Sequence, residues 1–287
     1  MADQKKIDEI TGTETTGHEW DGITELNTPL PRWWLWVLYA CIIWAVGYWI
    51  AMPAWPLITG HSAGVLDYSQ RTTVTEQLAE AEAGRAEFAN RLLDASLEDA
   101  RTDPELLEFA LAGGRSSFRL NCSQCHGSGG AGSVGYPNLN DDDWIWGGTV
   151  DDIHQTIAYG IRSDHEETRF NQMPGFLLDE SLTREEIDQV TDYVLSLSEG
   201  GGATEGDGAE LFFEWCAMCH GDAGEGNPAL GAPNLADAIW LYGGDRETVL
   251  QSISDGRGGM MPAWEERLGP LAMKQLAIYV HSLGGGE

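Results

Sequence analysis

The chain has 287 residues, room for two ordinary domains rather than one. Its 46 acidic residues against 16 basic ones give a formal charge of −30 at pH 7, which excludes nucleic acid as a natural partner and disfavours simple adhesion to an anionic membrane surface. A hydrophobic fraction of 42% with 12 tryptophans excludes disorder, and five cysteines, four of them in two tight pairs, do not make a disulfide framework.

Residues 1–32 are polar, contain Gly and Thr, and show no apolar period; they read as a flexible arm. Trp33 to Met52 is then free of charge (WWLWVLYACIIWAVGYWIAM), the length that spans a bilayer as a helix. Tryptophans at both ends resemble interfacial belts, and Pro53 and Pro56 end the helix, so 33–56 reads as a transmembrane segment. A cleaved signal peptide is the alternative. The long acidic leader and the absence of a small-x-small cleavage site speak against it. Cys41 inside the run reads as a small lipid-facing or packing residue. Lys5, Lys6 and Arg32 precede the span and Arg71 is the first basic residue after it, a weak vote for a cytoplasmic N-terminus.

Residues 57–104 are polar and Ala/Glu-rich and read as a helical or partly ordered linker without chemistry. Asp103-Pro104 is an N-cap followed by a first-turn proline, so a helix starts there.

The remainder repeats itself. Gly114 to His126 (GRSSFRLNCSQCH) returns as Gly208 to His220 (GAELFFEWCAMCH). Pro137-Asn138-Leu139 returns as Pro233-Asn234-Leu235, and Gly147-Gly148 as Gly243-Gly244. Gly160 returns as Gly256, Met173-Pro174 as Met261-Pro262, and Tyr193-Val194 as Tyr279-Val280. The order is kept while the offset drifts, which marks a duplicated domain with a shorter second copy. The copies span 105–199 and 205–287, with a short glycine-rich hinge at Glu199 to Thr204.

Each copy carries Cys-x-x-Cys-His: Cys122, Cys125, His126 and Cys216, Cys219, His220. Two cysteines one helical turn apart can form thioethers to the two vinyl groups of one haem, and the adjacent imidazole then reaches the iron. This is the attachment signature of c-type haem and calls for two covalently bound haem c groups. A four-thiolate zinc site would need both pairs to converge, whereas each pair sits in its own copy with its own histidine.

The iron needs a sixth ligand. Met173 and Met261, each followed by proline, are the candidates, one per copy, for the first and second haem. A thioether opposite histidine raises the reduction potential and blocks oxygen binding, which suits electron transfer. Met260 neighbours Met261, but the repeat aligns Met-Pro with Met-Pro. Met218 and Met273 read as gap-filling core residues. His154 and His165 have no counterpart in the second copy and read as surface residues. Phe118, Tyr193 and Leu195, and Phe212, Tyr279 and Leu283, are candidate haem lining. Pro137 and Pro233 mark the loop whose carbonyl would orient the proximal histidine.

Bacterial c-type haem is ligated outside the cytoplasm, so both domains should face the periplasm. The expected architecture is all-α: one N-terminal transmembrane helix followed by two tandem class I cytochrome c domains.

Pro31 to Trp36 (PRWWLW), Pro53 to Pro56 (PAWP), an Ala/Glu linker and two such domains together resemble the dihaem subunit, subunit III, of cbb3-type cytochrome c oxidase. The resemblance covers essentially the whole chain. It implies a relay from a soluble cytochrome c or a quinol-oxidising complex to the mono-haem subunit, and on to the oxygen-reducing catalytic subunit in the inner membrane. The chain shows no cluster of membrane histidines for a haem–copper centre, so oxygen reduction would belong to a partner. A free-standing membrane-anchored shuttle and a dihaem peroxidase are the alternatives; the peroxidase needs an open iron position, and both copies offer a methionine.

Overall fold

The computed structural model describes residues 6–200 and 206–286, so most of the expected hinge, from residue 201 on, lies outside the described residues. The chain forms two compact units, residues 1–83 and 84–287.

In the first unit the arm is not featureless. β1 (Thr15–Trp20) pairs antiparallel with β2 (Ile23–Leu26), with Trp20 opposite Ile23. Asp21 and Gly22 between them both have positive φ, the backbone of a type I′ turn. The hairpin signal Asp-Gly stands in the sequence, but the strands around it are mostly solvent-exposed and so lack the apolar alternation that would have marked them.

Helix α1 (Arg32–Ala51) is the membrane-length element. It carries no charge beyond its first residue and buries no residue, so its whole apolar surface is available to lipid. Its last carbonyls are not left open. The amides of Met52, Val65 and Leu66 donate to Tyr48, Ile50 and Ala51. A minimal ribbon of β3 (Pro56–Leu57) and β4 (Gly60–His61) turns the chain back to make this possible. Trp49 packs edge-on against Trp55 at 4.9 Å.

The linker is more structured than its composition indicates. α2 (Gln70–Asp94) runs across the boundary between the units, and α3 (Leu97–Thr102) follows, capped by Ser96. Leu92, Leu97 and Ala100 are fully or nearly fully buried in the core of the second unit. The end of the expected linker is thus part of a haem domain's packing.

The second unit continues with α4 (Pro104–Asn121), α5 (Ser123–His126), α6 (Val150–Tyr159) and α7 (Arg184–Ser198). The second copy supplies α8 (Asp207–Trp215), α9 (Ala217–His220), α10 (Arg246–Asp255) and α11 (Pro270–His281). Caps fix the starts: Asp103 with Pro104 for α4, Thr149 for α6, Asp245 for α10, and the Thr183–Glu186 capping box for α7.

These elements follow the two expected copies, but the copies exchange their last helices. α11 packs on α4 and α6, whereas α7 packs on α8 and α10. One core joins Phe118, Ile153 and Ile157 of the first copy to Leu276, Ile278 and Tyr279 of the second. The other joins Ile187, Val190 and Val194 to Phe212, Val249 and Ile253. The boundaries 105–199 and 205–287 therefore describe the duplication, and each packed core draws on both. The cause is the short connection. Sequential helices on a short link pack as neighbours, so α7 lies on α8 and α4 is left for α11.

The crossings are tight and equivalent. A methyl on Gly114 would lie 2.2 Å from the Gln275 carbonyl oxygen, and one on Gly208 2.4 Å from that of Gln189. Phe118 packs against Tyr279 at 5.5 Å between ring centroids, and Phe212 against Tyr193 at 5.1 Å. The aromatic residues expected to line the haem within one copy thus meet their counterparts from the other copy at the helix crossings.

Gly114→Ala is expected to cost about 1–3 kcal/mol through overpacking, read as a lowered thermal midpoint. A fragment of residues 84–199 is expected to show no cooperative melting, because α4 and α7 have both lost their partners. A sharp calorimetric transition in that fragment would contradict the exchange.

Candidate functional site

Each Cys-x-x-Cys-His is a single short turn set at a helix end. Cys122 is at once the C-cap of α4 and the N-cap of α5, and Cys216 joins α8 to α9 in the same way. The amides of Cys125 and His126 donate to the Cys122 carbonyl at 3.2 and 3.0 Å; those of Cys219 and His220 donate to Cys216 at 3.1 and 3.0 Å. This hydrogen bonding puts both sulfurs and the imidazole on one turn.

The histidines are oriented as the proline spacing predicts. His126 Nδ1 lies 3.1 Å from the Pro137 carbonyl, and His220 Nδ1 lies 2.9 Å from that of Pro233. A carbonyl can only accept, so Nδ1 carries the proton and Nε2 is left with a free lone pair. Burial lowers the pKa of both rings, which keeps them neutral and able to ligate.

The first thiol of each motif is held in its protonated form. Burial, followed by the neighbouring cysteine, pushes Cys122 up to about 11 and Cys216 up to about 12. All four are unbridged. Among the described residues no three His, Cys, Asp or Glu side chains converge on a common metal position, so the rival zinc reading has no site.

The methionines sit where the helix exchange puts them. Met261 packs against the core that carries Cys122, and Met173 against the core that carries Cys216. This is the reverse of the within-copy pairing expected from the repeat. Backbone bridges fix it: Ile161 and Met261 exchange hydrogen bonds at 2.9 and 3.0 Å, and Met173 and Arg257 at 3.1 and 3.2 Å. Gly160 and Gly256 end α6 and α10 at φ of +73° and +75°. A methyl there would lie 2.4 Å from the Met261 carbonyl oxygen or 2.5 Å from that of Met173, so only glycine admits the other copy's strand.

One cavity of about 690 Å³ reaches both attachment turns. Cys122, Cys125, His126, Cys216, Cys219, His220, Met173 and Met261 all line it, with Phe118, Trp144 and Trp240 among its apolar walls. The donor set and the apolar walls fit haem c: two thiols and one imidazole on each turn, with a thioether on each core. Met260 also reaches the cavity but is 70% exposed, whereas Met261 is half-buried. Met273 is core, as expected. Met218 is 83% exposed and lines the cavity, so the core reading fails there. His154 and His165 are half-buried and away from the cavity, and His165 stacks on Tyr159 beside Glu265.

Three charged side chains on the cavity escaped sequence reasoning: Arg162, Arg257 and Asp143. None of the three stands in the repeat pattern used to find the others. Burial, with Asp237, Asp141 and Asp142 nearby, pushes the Asp143 carboxyl up to about 6.

Two facing pairs of attachment turn and thioether, on an all-α scaffold behind a membrane-length helix, define a membrane-anchored tandem cytochrome c. Three family models match in the same order. The N-terminal domain of cytochrome oxidase-cbb3, FixP, covers residues 12–59; cytochrome c covers 111–198; cytochrome c oxidase, cbb3-type, subunit III covers 203–280.

Curated relatives align end to end. The cbb3-type cytochrome c oxidase subunit FixP of Bradyrhizobium sp. strain ORS 278 is 52% identical, covering 100% of both chains. The FixP subunit of Azorhizobium caulinodans is also 52% identical, over 98% of this chain and 96% of that one. The CcoP subunit of Cereibacter sphaeroides is 48% identical over 95% of each. The chain belongs to the FixP/CcoP family, subunit III of cbb3-type cytochrome c oxidase. Its two cytochrome c domains imply covalently bound haem c, and it works with other oxidase subunits in the membrane.

Asp143 binds its proton more tightly in the folded state than in the unfolded chain. Its contribution to stability is therefore lost as pH rises from about 4 to about 6. Asp143→Asn is expected to raise stability above pH 6 by about 1 kcal/mol, allowing for solvent screening, and to add little at pH 4. Thermal melts across that range would show it.

Proposed function

We propose that the chain carries two haem c groups and relays electrons into the oxygen-reducing core of a cbb3-type oxidase. Cys122 and Cys125 would hold one haem, with His126 and Met261 to bind its iron. Cys216 and Cys219 would hold the other, with His220 and Met173. The single observation that carries this reading is the one cavity, lined by both attachment turns and by the Met-Pro methionines of both copies, Met173 and Met261. The haem, when bound, supplies one-electron chemistry at an iron shielded from oxygen by its two axial ligands.

The chain's own residues do the rest. Pro137 and Pro233 hold each imidazole in the tautomer that leaves Nε2 free. The Ile161–Met261 and Met173–Arg257 bridges fix each thioether's backbone against the opposite core. Both attachment turns line one cavity, which would let electrons pass between the two sites.

The haem domains face the periplasm and the N-terminus the cytoplasm, since covalent attachment takes place outside the cytoplasm and α1 is the one candidate span among the described residues. Electrons arrive from a donor cytochrome c or a quinol-oxidising complex and leave through the mono-haem subunit to the catalytic subunit. The acidic surface suits a cationic donor, whose reduction of the haems should slow as salt rises.

Purification in mild detergent should bring down haem b and copper with the chain; migration alone would leave a free-standing shuttle. The crossed ligation has its own test in a Cys122→Ala/Cys125→Ala background, which keeps only the second haem. There Met173→Leu is expected to abolish the sulfur-to-iron charge-transfer band, and Met261→Leu to spare it. The opposite result would restore within-copy ligation.

A further inference from the structure

The cavity wall carries two arginines, Arg162 and Arg257. Arg91, Arg101, Arg169 and Arg246 each hold a carboxylate within 3.0 Å. Arg162 and Arg257 hold none among the described residues, in a chain with 46 acidic residues to choose from. Both are half-buried. Burying an unpaired cation is costly, so its persistence beside a cavity calls for an anionic ligand inside that cavity.

Their geometry is preset. Arg162 donates from Nε to the Gly259 carbonyl at 2.6 Å and from Nη1 to the Asn171 carbonyl. Arg257 donates from Nε to Ser252 Oγ at 2.9 Å and lies over the Tyr242 ring at 4.3 Å. Tyr242 also acts on Arg162, so the guanidiniums and the phenol form one cluster. Each arginine therefore keeps N–H groups without a protein acceptor among the described residues. The cluster lies where the two copies interlock, since Arg257 bridges to Met173 and Arg162 reaches the loop just before Met261. Among the described residues Asp143 is the only carboxylate on the cavity lining.

We propose that Arg162 and Arg257 bind the propionate carboxylates of the haems at the junction of the two sites, and that their charge raises the haem reduction potentials. The inference rests on the reading that both attachment turns carry haem. A fixed cation favours the reduced iron, whose site carries one positive charge fewer. A guanidinium fork also matches a carboxylate in bidentate fashion, which a neutral amide does not.

The test uses the full chain in detergent with both haems attached, which haem content and mass establish first. A chain without two haems would overturn the underlying reading rather than this one. In Arg162→Gln and Arg257→Gln, spectroelectrochemical titration should show at least one haem harder to reduce. The expected change is roughly threefold to tenfold in its redox equilibrium, about 28 to 59 mV for one electron. The sulfur-to-iron band should persist, and Arg162→Lys and Arg257→Lys should recover most of the potential.

Unchanged potentials in Met-ligated glutamine variants, or equal losses in the lysine variants, would overturn the proposal. Should both glutamine variants fail to accumulate, resonance Raman on the unsubstituted protein and the lysine variants decides. Propionate bending bands should sit at hydrogen-bonded positions and move on lysine substitution; water-exposed positions or no movement would overturn it.

Discussion

Two helix crossings determine the arrangement of the second unit. At each, a glycine on the first helix of one copy lets the backbone of the other copy's last helix approach to a distance no side chain would allow: Gly114 against Gln275, and Gly208 against Gln189. A phenylalanine and a tyrosine lock each crossing one turn further on. Once α11 lies on α4 and α7 on α8, the loops leading into those helices must cross as well. They bring Met261 beside Cys122 and Met173 beside Cys216. The sites are a result of the crossing, and so is the single cavity that serves both.

Burial and charge work in the same direction around that cavity. The Cys122 and Cys216 thiols stay protonated and the imidazoles neutral because burial desolvates them. The molecule's negative charge, with residues 105–204 at −12 and 205–287 at −9, stays mainly outside. The cavity lining admits two guanidiniums and one carboxylate pushed toward its neutral form. An acidic exterior can attract a cationic partner, or answer to a saline habitat, without placing like charge against the chemistry.

Much of this was legible from residues alone. The charge-free run, the two Cys-x-x-Cys-His motifs and the Met-Pro repeats identified the span, the attachment turns and the candidate thioethers. Pro137 and Pro233 turned out to supply the carbonyls that orient the histidines. The exchange was not legible, because a duplication makes the two partners of each helix chemically equivalent: α4 could pack on α7 or α11 with the same stripe of residues. Only the short link at 199–206 breaks that tie, and it does so through geometry. Arg162 and Arg257 were hidden for a related reason. They do not repeat in register, and a lone arginine acquires meaning only when its surroundings show that no carboxylate faces it. The arm's hairpin was announced by Asp21-Gly22 alone, with strands too exposed to alternate.

A chain is made from its N-terminus, and the exchange gives that direction a structural meaning. The first attachment turn is complete at His126, yet the core behind it needs α11, which ends at His281. The second core, by contrast, can close on α7, α8 and α10 while the last segment is still being made. The site written first is therefore the site finished last, and until then its apolar wall lacks the helix that covers it.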